Sequence, residues 1–333
     1  MDLSFIDMSI KSYAGKISEA DQARIDLFRK LWSTANEAVA GLEQDYATPD
    51  PKIALEAVQS EAVSSKDLQA ELDKPLAKAP SPLNGSVFSV APAPVDGRVL
   101  ADTMLKLVGV IKEDPSFEEA ARDLEVVEWD TIFGANAKTE NDSATAEAMA
   151  LAGSNPSAFI VYLAQAFQRL GMPEQALALS VSLITLALRV QLESPACKAV
   201  EAIGQEEMEK GHFMVCPVCG SEPMLARVGG ENATKGRGKV LGCLQCGTSW
   251  DFDRVRCARC GDQNSGHLHY FNLEGDDAHR INTCDNCGSY IRTVFLDDAL
   301  APCSFDVEDV LMAKLDALAV DSSIAKGSQR IPQ

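Results

Sequence analysis

The sequence predicts an α+β fold, in which an all-α helical part precedes a small cysteine-rich β part and a closing helix. Residues 1–210 carry apolar residues at helical spacing, whereas residues 211–300 carry four Cys-x-x-Cys pairs separated by short β-like runs. We therefore expect a helical domain over 1–210, two tandem rubredoxin-like or zinc-ribbon modules over 211–300, and a C-terminal helix and tail over 301–333.

The first expected helix is Ser18–Gln44, because Ser18 is a good N-cap and Glu19 and Asp21 follow in the first turn. Five more are expected in order: Pro51–Gln59, Ser65–Leu72, Val95–Ile111, Phe117–Leu124 and Ala144–Ala152. Trp129 and Phe133 are expected core anchors. The proline-rich stretch Asp73–Pro94 is predicted to be a loop or surface strap, with a partner-binding segment as the alternative.

Two strong helices close the helical part. Asn155 and Pro156 open one and Gly171 ends it, and Pro173 opens the next. The second is apolar nearly all round, but its length and polar interruptions argue against a bilayer span, so we expect a central core helix. Pro195 is expected to end it.

Three further expectations concern the C-terminal side of Pro195. A last helix, Ala196–Lys210, should lead into the cysteine region and bury Cys197 as a plain small residue. After the cysteine region, Asp306–Leu318 reads as an amphipathic helix. Residues after Asp321 are expected to be disordered.

The four cysteine pairs form a tandem repeat. Both the first two pairs and the last two are separated by 23 residues, and the pattern recurs with a period of 41. A glycine follows each pair, at a sharp reversal that calls for positive φ. Four thiolates in a tetrahedron suit zinc or iron. The predicted ligands of two metal ions are Cys216, Cys219, Cys243, Cys246, Cys257, Cys260, Cys284 and Cys287.

The repeat favours grouping the first pair with the second and the third with the fourth, while an interleaved cross-brace is the alternative. Structural disulfides are disfavoured because they belong to small secreted domains, and redox pairs because a thioredoxin-type site is a single pair at a helix start. Cys303 has no cysteine at ligand spacing. The expected strands are Met224–Val228, Lys239–Cys243, Leu268–Leu273 and His279–Thr283, with Val294–Leu300 as an edge strand or loop.

The charge distribution bears on partners and compartment. The net charge is −19, yet Gly211–Thr293 holds nine basic and nine acidic residues, so all of the excess lies elsewhere. Such a chain repels phosphate backbones, which argues against nucleic acid as a partner. A zinc ribbon that binds nucleic acid through Arg254, Arg256 and Arg259 stays a less favoured alternative. We expect no export signal, because Met1–Tyr13 has no uninterrupted apolar core, and metal-bound thiolates point to the cytoplasm.

No arrangement of residues predicts an active site, so we expect a protein that is not an enzyme. All four histidines lie in or beside the cysteine modules. His267 and His269 would share one face of a strand, where a solvated position is the default and a metal or proton role the alternative. No glycine loop has the context of a phosphate-binding motif.

The cysteine region resembles the FdhE family, the accessory proteins of formate dehydrogenase biogenesis. The residues that carry the resemblance are Cys216-Pro-Val-Cys-Gly-Ser221, Cys243-Leu-Gln-Cys-Gly-Thr-Ser-Trp250, Val255-Arg-Cys-Ala-Arg-Cys260, Leu268-His-Tyr270 and Cys284-Asp-Asn-Cys-Gly-Ser-Tyr290. The resemblance implies a rubredoxin-like, iron-binding assembly factor, with the eight paired cysteines as metal ligands. It also implies association with the catalytic subunit of a respiratory formate dehydrogenase, in the cytoplasm and before export.

The sequence does not choose between iron and zinc, since both accept four thiolates. A rubredoxin-like electron-transfer protein is the runner-up function. We expect no membrane insertion, and a homodimer stays open.

Overall fold

The computed structural model describes residues 1–42, 46–59, 85–135, 143–229, 238–298 and 300–321. The predicted helix Ser65–Leu72, most of the proline-rich stretch and the tail after Asp321 lie outside these ranges.

Ahead of the first cysteine pair the helices are α1 (Leu3–Ser12), α2 (Glu19–Ala38), α3 (Pro51–Gln59), α4 (Val87–Val90), α5 (Gly97–Lys112), α6 (Glu118–Glu125), α7 (Trp129–Ile132), α8 (Ser143–Ser154), α9 (Pro156–Arg169), α10 (Glu174–Ile203) and α11 (Gln205–Lys210). The predicted α+β fold class is confirmed.

Polar caps set several of these helix starts. The Ser18 side chain accepts a hydrogen bond from Asp21 N, and the Asn155 side chain accepts one from Ala158 N. The Asp96 side chain likewise accepts hydrogen bonds from N–H groups in the first turn of α5. This helix therefore begins at Gly97, two residues later than predicted. Helix α2 ends at Ala38, before the predicted end, and α1 was not predicted.

The core of the helical part is built around large aromatic side chains. Trp129 is 1% exposed and Phe133 is 1% exposed, and their rings stack with centroids 5.8 Å apart. Phe167 meets the Trp129 ring edge-on at 5.9 Å. The two predicted core anchors are therefore confirmed.

Helix α10 is the central helix, as predicted, and packs against α2, α3, α5, α6, α9 and α11. Its 30 residues are long and apolar enough to cross a membrane by composition alone, so the prediction that it is too short for a span was wrong. More than half of its most apolar window is nevertheless buried inside the fold, as in a core helix. Its polar side chains Ser182 and Thr185 donate hydrogen bonds to carbonyls one turn earlier.

The helix break predicted at Pro195 does not occur, because α10 runs through this residue to Ile203. A proline inside a helix costs about 3 kcal/mol. The buried residues Ala196, Ala199 and Ile203 pack beyond it and offset that cost. The break lies instead at Gly204, whose φ of 85° and ψ of 150° suit glycine alone.

The cysteine region forms one six-stranded sheet rather than two separate ones. Its strands are β1 (Leu225–Val228), β2 (Lys239–Gly242), β3 (Ser249–Phe252), β4 (Leu268–Phe271), β5 (His279–Cys284) and β6 (Tyr290–Phe295). They lie in the order β3-β2-β1-β6-β5-β4. Strands within each ribbon are antiparallel, while β1 and β6 pair in parallel, with Leu225 opposite Arg292.

The strand β6 corrects the prediction of an edge strand or loop over Val294–Leu300. It begins earlier, at Tyr290, and lies inside the sheet, with Thr293 and Val294 buried between neighbours on both sides. Strand β3 was not predicted. Both missed strands follow a cysteine pair closely, and each is only a short strand-like run beside the metal motif.

The C-terminal helices α12 (Phe305–Leu311) and α13 (Ala313–Asp321) replace the single predicted helix, with the break at Met312. Val307 and Val310 of α12 share a small core with Ile6 of α1 and with Ile25 and Trp32 of α2. Helix α13 packs on β5. The end of the described chain therefore ties the first helices to the second ribbon. The domain boundaries after residues 210 and 300 stay predictions.

Candidate metal centres

The structure brings the eight predicted cysteines together in two clusters of four sulfur atoms. Within each cluster every Sγ lies within 4.8 Å of the others. The first cluster is Cys216, Cys219, Cys243 and Cys246, and the second is Cys257, Cys260, Cys284 and Cys287. This is the sequential grouping and not the interleaved one. Among the described residues, no other group of histidine, cysteine and acidic side chains meets the same criterion.

Each cysteine pair adopts the same turn, which explains why the sequence repeats so closely. The glycine N–H after a pair donates to the carbonyl of its first cysteine, as Gly220 N does to Cys216 O at 2.9 Å. The first cysteine N–H donates in turn to the carbonyl two residues beyond the second cysteine, as Cys216 N does to Ser221 O at 2.8 Å. The four glycines have φ between 69° and 82°, as predicted.

The first cluster is enclosed on all sides. Its four cysteines are at most 3% exposed and belong to the main hydrophobic core. The N–H groups of Val87 and Phe88 donate to the carbonyls of Pro217 and Val218, which holds the first turn against α4. Two hydroxyl oxygens line the sulfurs: Ser221 Oγ lies 3.2 Å from Cys219 Sγ. Thr248 Oγ1 lies 3.2 Å from Cys246 Sγ.

A buried arginine of α10 closes the second turn of this cluster. Arg189 Nη1 donates to Leu244 O at 3.0 Å and forms an ion pair with Asp306 at 2.6 Å. Burial alone would lower the pKa of Arg189, but Asp306, Glu193 and the nearby cysteines raise it overall. From the sequence, Arg189 was predicted only as a polar interruption of an apolar helix. Arg189 is the one cation in the apolar run 176–190, and a charge in such a run is the signal that could have found it.

The second cluster is half open. Cys257 and Cys284 are buried, but Cys260 and Cys287 are exposed. The Sγ atoms of Cys257 and Cys287 are 3.8 Å apart, and those of Cys260 and Cys284 are 3.7 Å apart. Asn286 Nδ2 donates to Cys260 Sγ at 3.5 Å.

Within each cluster the cysteine thiols differ in acidity. Burial raises the pKa of Cys216 and of Cys219 well above the ordinary thiol value. Hydrogen bonds from the other three cysteines lower the pKa of Cys243. Burial also acts to raise the pKa of Cys260, but hydrogen bonds from Asp262 N–H and Asn286 outweigh it and bring the value to about 7.

Both clusters have the donor set of a four-thiolate metal site. Two turns contribute two sulfurs each, all within bonding reach of one central ion, and no carboxylate or imidazole from the described part of the chain belongs to either group. Such sites hold zinc, or iron as a single ion, and they are closed rather than catalytic. Each cluster could therefore hold one metal ion. The sulfur geometry is common to both metals, so it does not identify which one.

His267 and His269 each lie within hydrogen-bond distance of a carboxylate. His267 lies in a turn before β4 and not on the strand, so it does not share a strand face with His269 as predicted; its Nδ1 is 2.6 Å from Asp262 Oδ2. His269 Nε2 lies 2.8 Å from Asp285 Oδ2. Asp262 lies two residues after Cys260 and Asp285 directly follows Cys284, so both histidines contact carboxylates at the rim of the second cluster.

His279 is the centre of a buried polar cluster that the sequence did not predict. Its Nδ1 lies 2.8 Å from Asp276 Oδ2 and its Nε2 lies 3.0 Å from Glu308 Oε2. Tyr13 donates to Glu308 Oε1 at 2.7 Å. Burial alone would lower the pKa of His279, but Asp276 and Glu308 raise it to about 9. The cluster joins the end of α1, the strand β5 and the helix α12.

The remaining two cysteines are separate from both clusters. Cys197 is exposed, which corrects the prediction that it is buried. The reason is that α10 continues through Pro195, and its register turns Ala196 and Ala199 inward instead. Cys303 is 4% exposed and lies 3.7 Å from Glu308, where burial raises its pKa to about 12.

A cavity of about 220 Å³ lies between the two ribbons and reaches the second cluster. Cys257 and Cys284 form part of its wall, together with the strand residues Asn282 and Tyr290. Its basic residues are Lys239, Arg254, Arg256 and Arg259. Three of them are engaged: Arg256 pairs with Asp253, Arg259 pairs with Glu222, and Lys239 donates to the Arg256 carbonyl. Two of the three arginines of the basic cluster noted in the sequence, Arg256 and Arg259, are therefore paired with acidic residues.

Comparison with known proteins gives related sequences but no match to a protein-family model. The chain is 34% identical over 122 residues to a protein named an FdhE homolog from Aquifex aeolicus, covering 36% of this chain and 42% of the relative. It is 32% identical over 134 residues to an FdhE homolog from Edwardsiella ictaluri, covering 38% and 40%. It is 37% identical over 81 residues to FdhE of Escherichia coli, covering 24% and 25%.

The chain thus spans about two fifths of the length of the first two relatives and a quarter of the third. Among solved structures, the crystal structure of the FdhE protein from Pseudomonas aeruginosa is similar at a TM-score of 0.46 and 17% identity, over 92% of this chain and 87% of that one. The resemblance predicted from the sequence is confirmed by the named relatives. Over the part of the sequence that these relatives match, the chain is similar to FdhE proteins.

Proposed function

We propose that this chain is an accessory factor for the maturation of formate dehydrogenase. The observation that carries the proposal is the pair of four-sulfur clusters in a chain related to FdhE proteins. Closed thiolate sites stabilise a fold rather than perform chemistry, and a non-catalytic assembly role fits such sites. In this role the helical part serves as a scaffold and the ribbons present a surface to a client protein.

The eight paired cysteines are proposed to hold two metal ions per chain, iron or zinc. Elemental analysis of anaerobically purified protein tests this point, and about two transition-metal ions per chain are expected from two four-thiolate sites. A Cys197→Ser variant is the matched control, since this cysteine is exposed and belongs to neither cluster. Metal-free protein that keeps its native fold would contradict the proposal.

The proposed client is the catalytic subunit of formate dehydrogenase, bound in the cytoplasm. Deleting the gene should abolish formate dehydrogenase activity in cell extracts, and the wild-type chain and the Cys197→Ser variant should both restore it. A tagged copy of the chain should co-purify with the catalytic subunit. Normal enzyme activity in the deletion strain would refute the accessory role.

Electron transfer is the second candidate function. It is favoured by one observation: the exposed Cys260 and Cys287 would bring an iron ion of the second cluster to the protein surface. An iron-loaded protein should then give a reversible one-electron wave in voltammetry. A colourless, zinc-loaded protein that fully restores formate dehydrogenase activity would eliminate this candidate.

A further inference from the structure

The tandem repeat allows the two clusters to be compared at matched positions. Cys219 and Cys260 are the second cysteines of equivalent pairs, and so are Cys246 and Cys287. In the first cluster both are buried, whereas in the second both are exposed. The same fold therefore produces one sealed cluster and one cluster whose outer two sulfurs face solvent. The backbone turn does not cause the difference, because its hydrogen bonds are the same in both clusters.

The surrounding hydroxyls differ at matched positions as well. In the first cluster Ser221 and Thr248, each two residues after a pair, place their oxygens 3.2 Å from Cys219 and Cys246. In the second cluster these positions are Asp262 and Ser289. The Asp262 carboxylate is turned to His267, 2.6 Å away. Apart from the cysteines themselves, the only side-chain donor to an outer sulfur there, within the described residues, is Asn286.

The covering elements complete the contrast. Arg189 and Glu193 of α10 lie against Gly247, and Ser86 lies against Gly220, so helical residues shield both turns of the first cluster. At the second cluster Gly261 faces Arg256 and Met214. The cavity between the ribbons also gives access to Cys257 and Cys284 from the side. Arg254 in its wall is exposed and has no ion-pair partner among the described residues.

We propose that Cys260 and Cys287 make the second cluster an exchange site, which gives up or takes its metal ion through an incoming thiolate, while the first cluster is a permanent structural site. This inference rests on the proposed role of the eight cysteines as metal ligands. Each sulfur–metal bond that breaks is replaced by one bond to the incoming thiolate. The freed cysteine takes a proton from water, and no electrons are transferred. Arg254 attracts the anionic thiolate to the cavity.

The experiment follows metal release from the full-length, zinc-loaded protein to the chelator 4-(2-pyridylazo)resorcinol. We expect two phases of one equivalent each, separated by roughly tenfold or more, because groups that support metal ligands change affinity by about that factor. Cys287→Ser should remove the fast phase and leave the slow one. Thr248→Val, which deletes the hydroxyl beside Cys246, should speed the slow phase and leave the fast one unchanged.

Alkylation of the wild-type protein during release gives a second measurement that needs no variant to fold. N-ethylmaleimide with peptide mass spectrometry should label Cys260 and Cys287 in the fast phase, and the cysteines of the first cluster only in the slow phase. Loss of both ions in a single phase, or equal labelling of both clusters, would overturn the exchange site and leave the accessory function intact. Protein that binds neither zinc nor iron would overturn both the exchange site and the proposed role of the eight cysteines as metal ligands.

Discussion

At the scale of single residues, the informative side chain is His279 rather than any predicted ligand. It carries a positive charge between Asp276 and Glu308, and Glu308 is only 1% exposed. Burying a charged carboxylate costs folding free energy unless a cationic partner compensates the charge. His279 therefore holds together three elements that are distant in sequence: α1 through Tyr13, the second ribbon, and α12.

We predict that His279→Gln lowers the free energy of unfolding by about 3 kcal/mol, because it leaves Glu308 buried beside a neutral group. Urea denaturation of the metal-loaded protein measures the change. The control is His269→Gln, whose side chain and partner Asp285 are both about half exposed. Its loss should cost less than about 1 kcal/mol. Equal losses in the two variants would show that the buried cluster contributes nothing special.

The pH dependence of this effect has a definite sign. The pKa of His279 is raised from 6.5 to about 9, so its stabilising contribution is complete below pH 6.5 and is lost as the pH rises through 9. The stability gap between wild type and His279→Gln should therefore be widest near pH 6 and should narrow above pH 9. A gap that widens with pH would contradict the assigned charge.

At the scale of elements, the break between α10 and α11 depends on one backbone conformation. The conformation of Gly204 is nearly exclusive to glycine, yet a methyl group there would meet no atom within 4 Å. The constraint thus lies in the backbone and not in packing. Because the first cysteine pair follows α11 closely, the direction of the chain at Gly204 fixes where that pair is placed.

We predict that Gly204→Ala lowers the free energy of unfolding by about 2 kcal/mol through backbone strain alone. The matched control is Gly109→Ala in the exposed face of α5, where a methyl group also meets nothing within 4 Å. There the same change should stabilise by about 0.5–1 kcal/mol, since glycine is a poor helix residue. Chemical denaturation of both variants gives the comparison. Two changes of the same sign would refute the role of Gly204.

The sequence predicted helices best where polar caps and apolar periodicity agreed, as at Ser18 and Asn155. The predicted helix break at Pro195 was wrong. Local propensity favours a break there, but the burial of the following turn outweighs that propensity. Knowing which faces of α10 are buried requires knowing its neighbours. The strand β6 was likewise hidden, because its place inside the sheet comes from pairing with β1, about sixty residues earlier in the chain.

At the scale of the whole molecule, the first cluster and the helices form one core. The spacing predicted the eight paired cysteines and favoured their sequential grouping over an interleaved one, and the structure has the sequential grouping. What spacing could not show is that the two clusters have different surroundings. Cys216, Cys219, Cys243 and Cys246 are packed with residues of the helical part, while the second cluster lies outside that core.

We therefore predict that Cys216→Ser lowers the thermal midpoint of the helices by roughly 10 °C or more, because a structural metal site contributes directly to folding energy. Cys287→Ser should shift the same midpoint by less than about 3 °C. Circular dichroism at a helical wavelength reports both, with Cys197→Ser as the unaffected reference. If the helices melt alike in the two cluster variants, the first site is not part of their core.

Because β1 and β6 pair in parallel, the two ribbons are related by a translation along the sheet and not by a half-turn rotation. The third strand of one ribbon therefore pairs with the first strand of the other, and both ribbons have the same orientation in the sheet. Copies stacked by such a rule form an open series and never a closed pair. If this protein forms a dimer, its subunits must meet through a surface other than an extension of that junction.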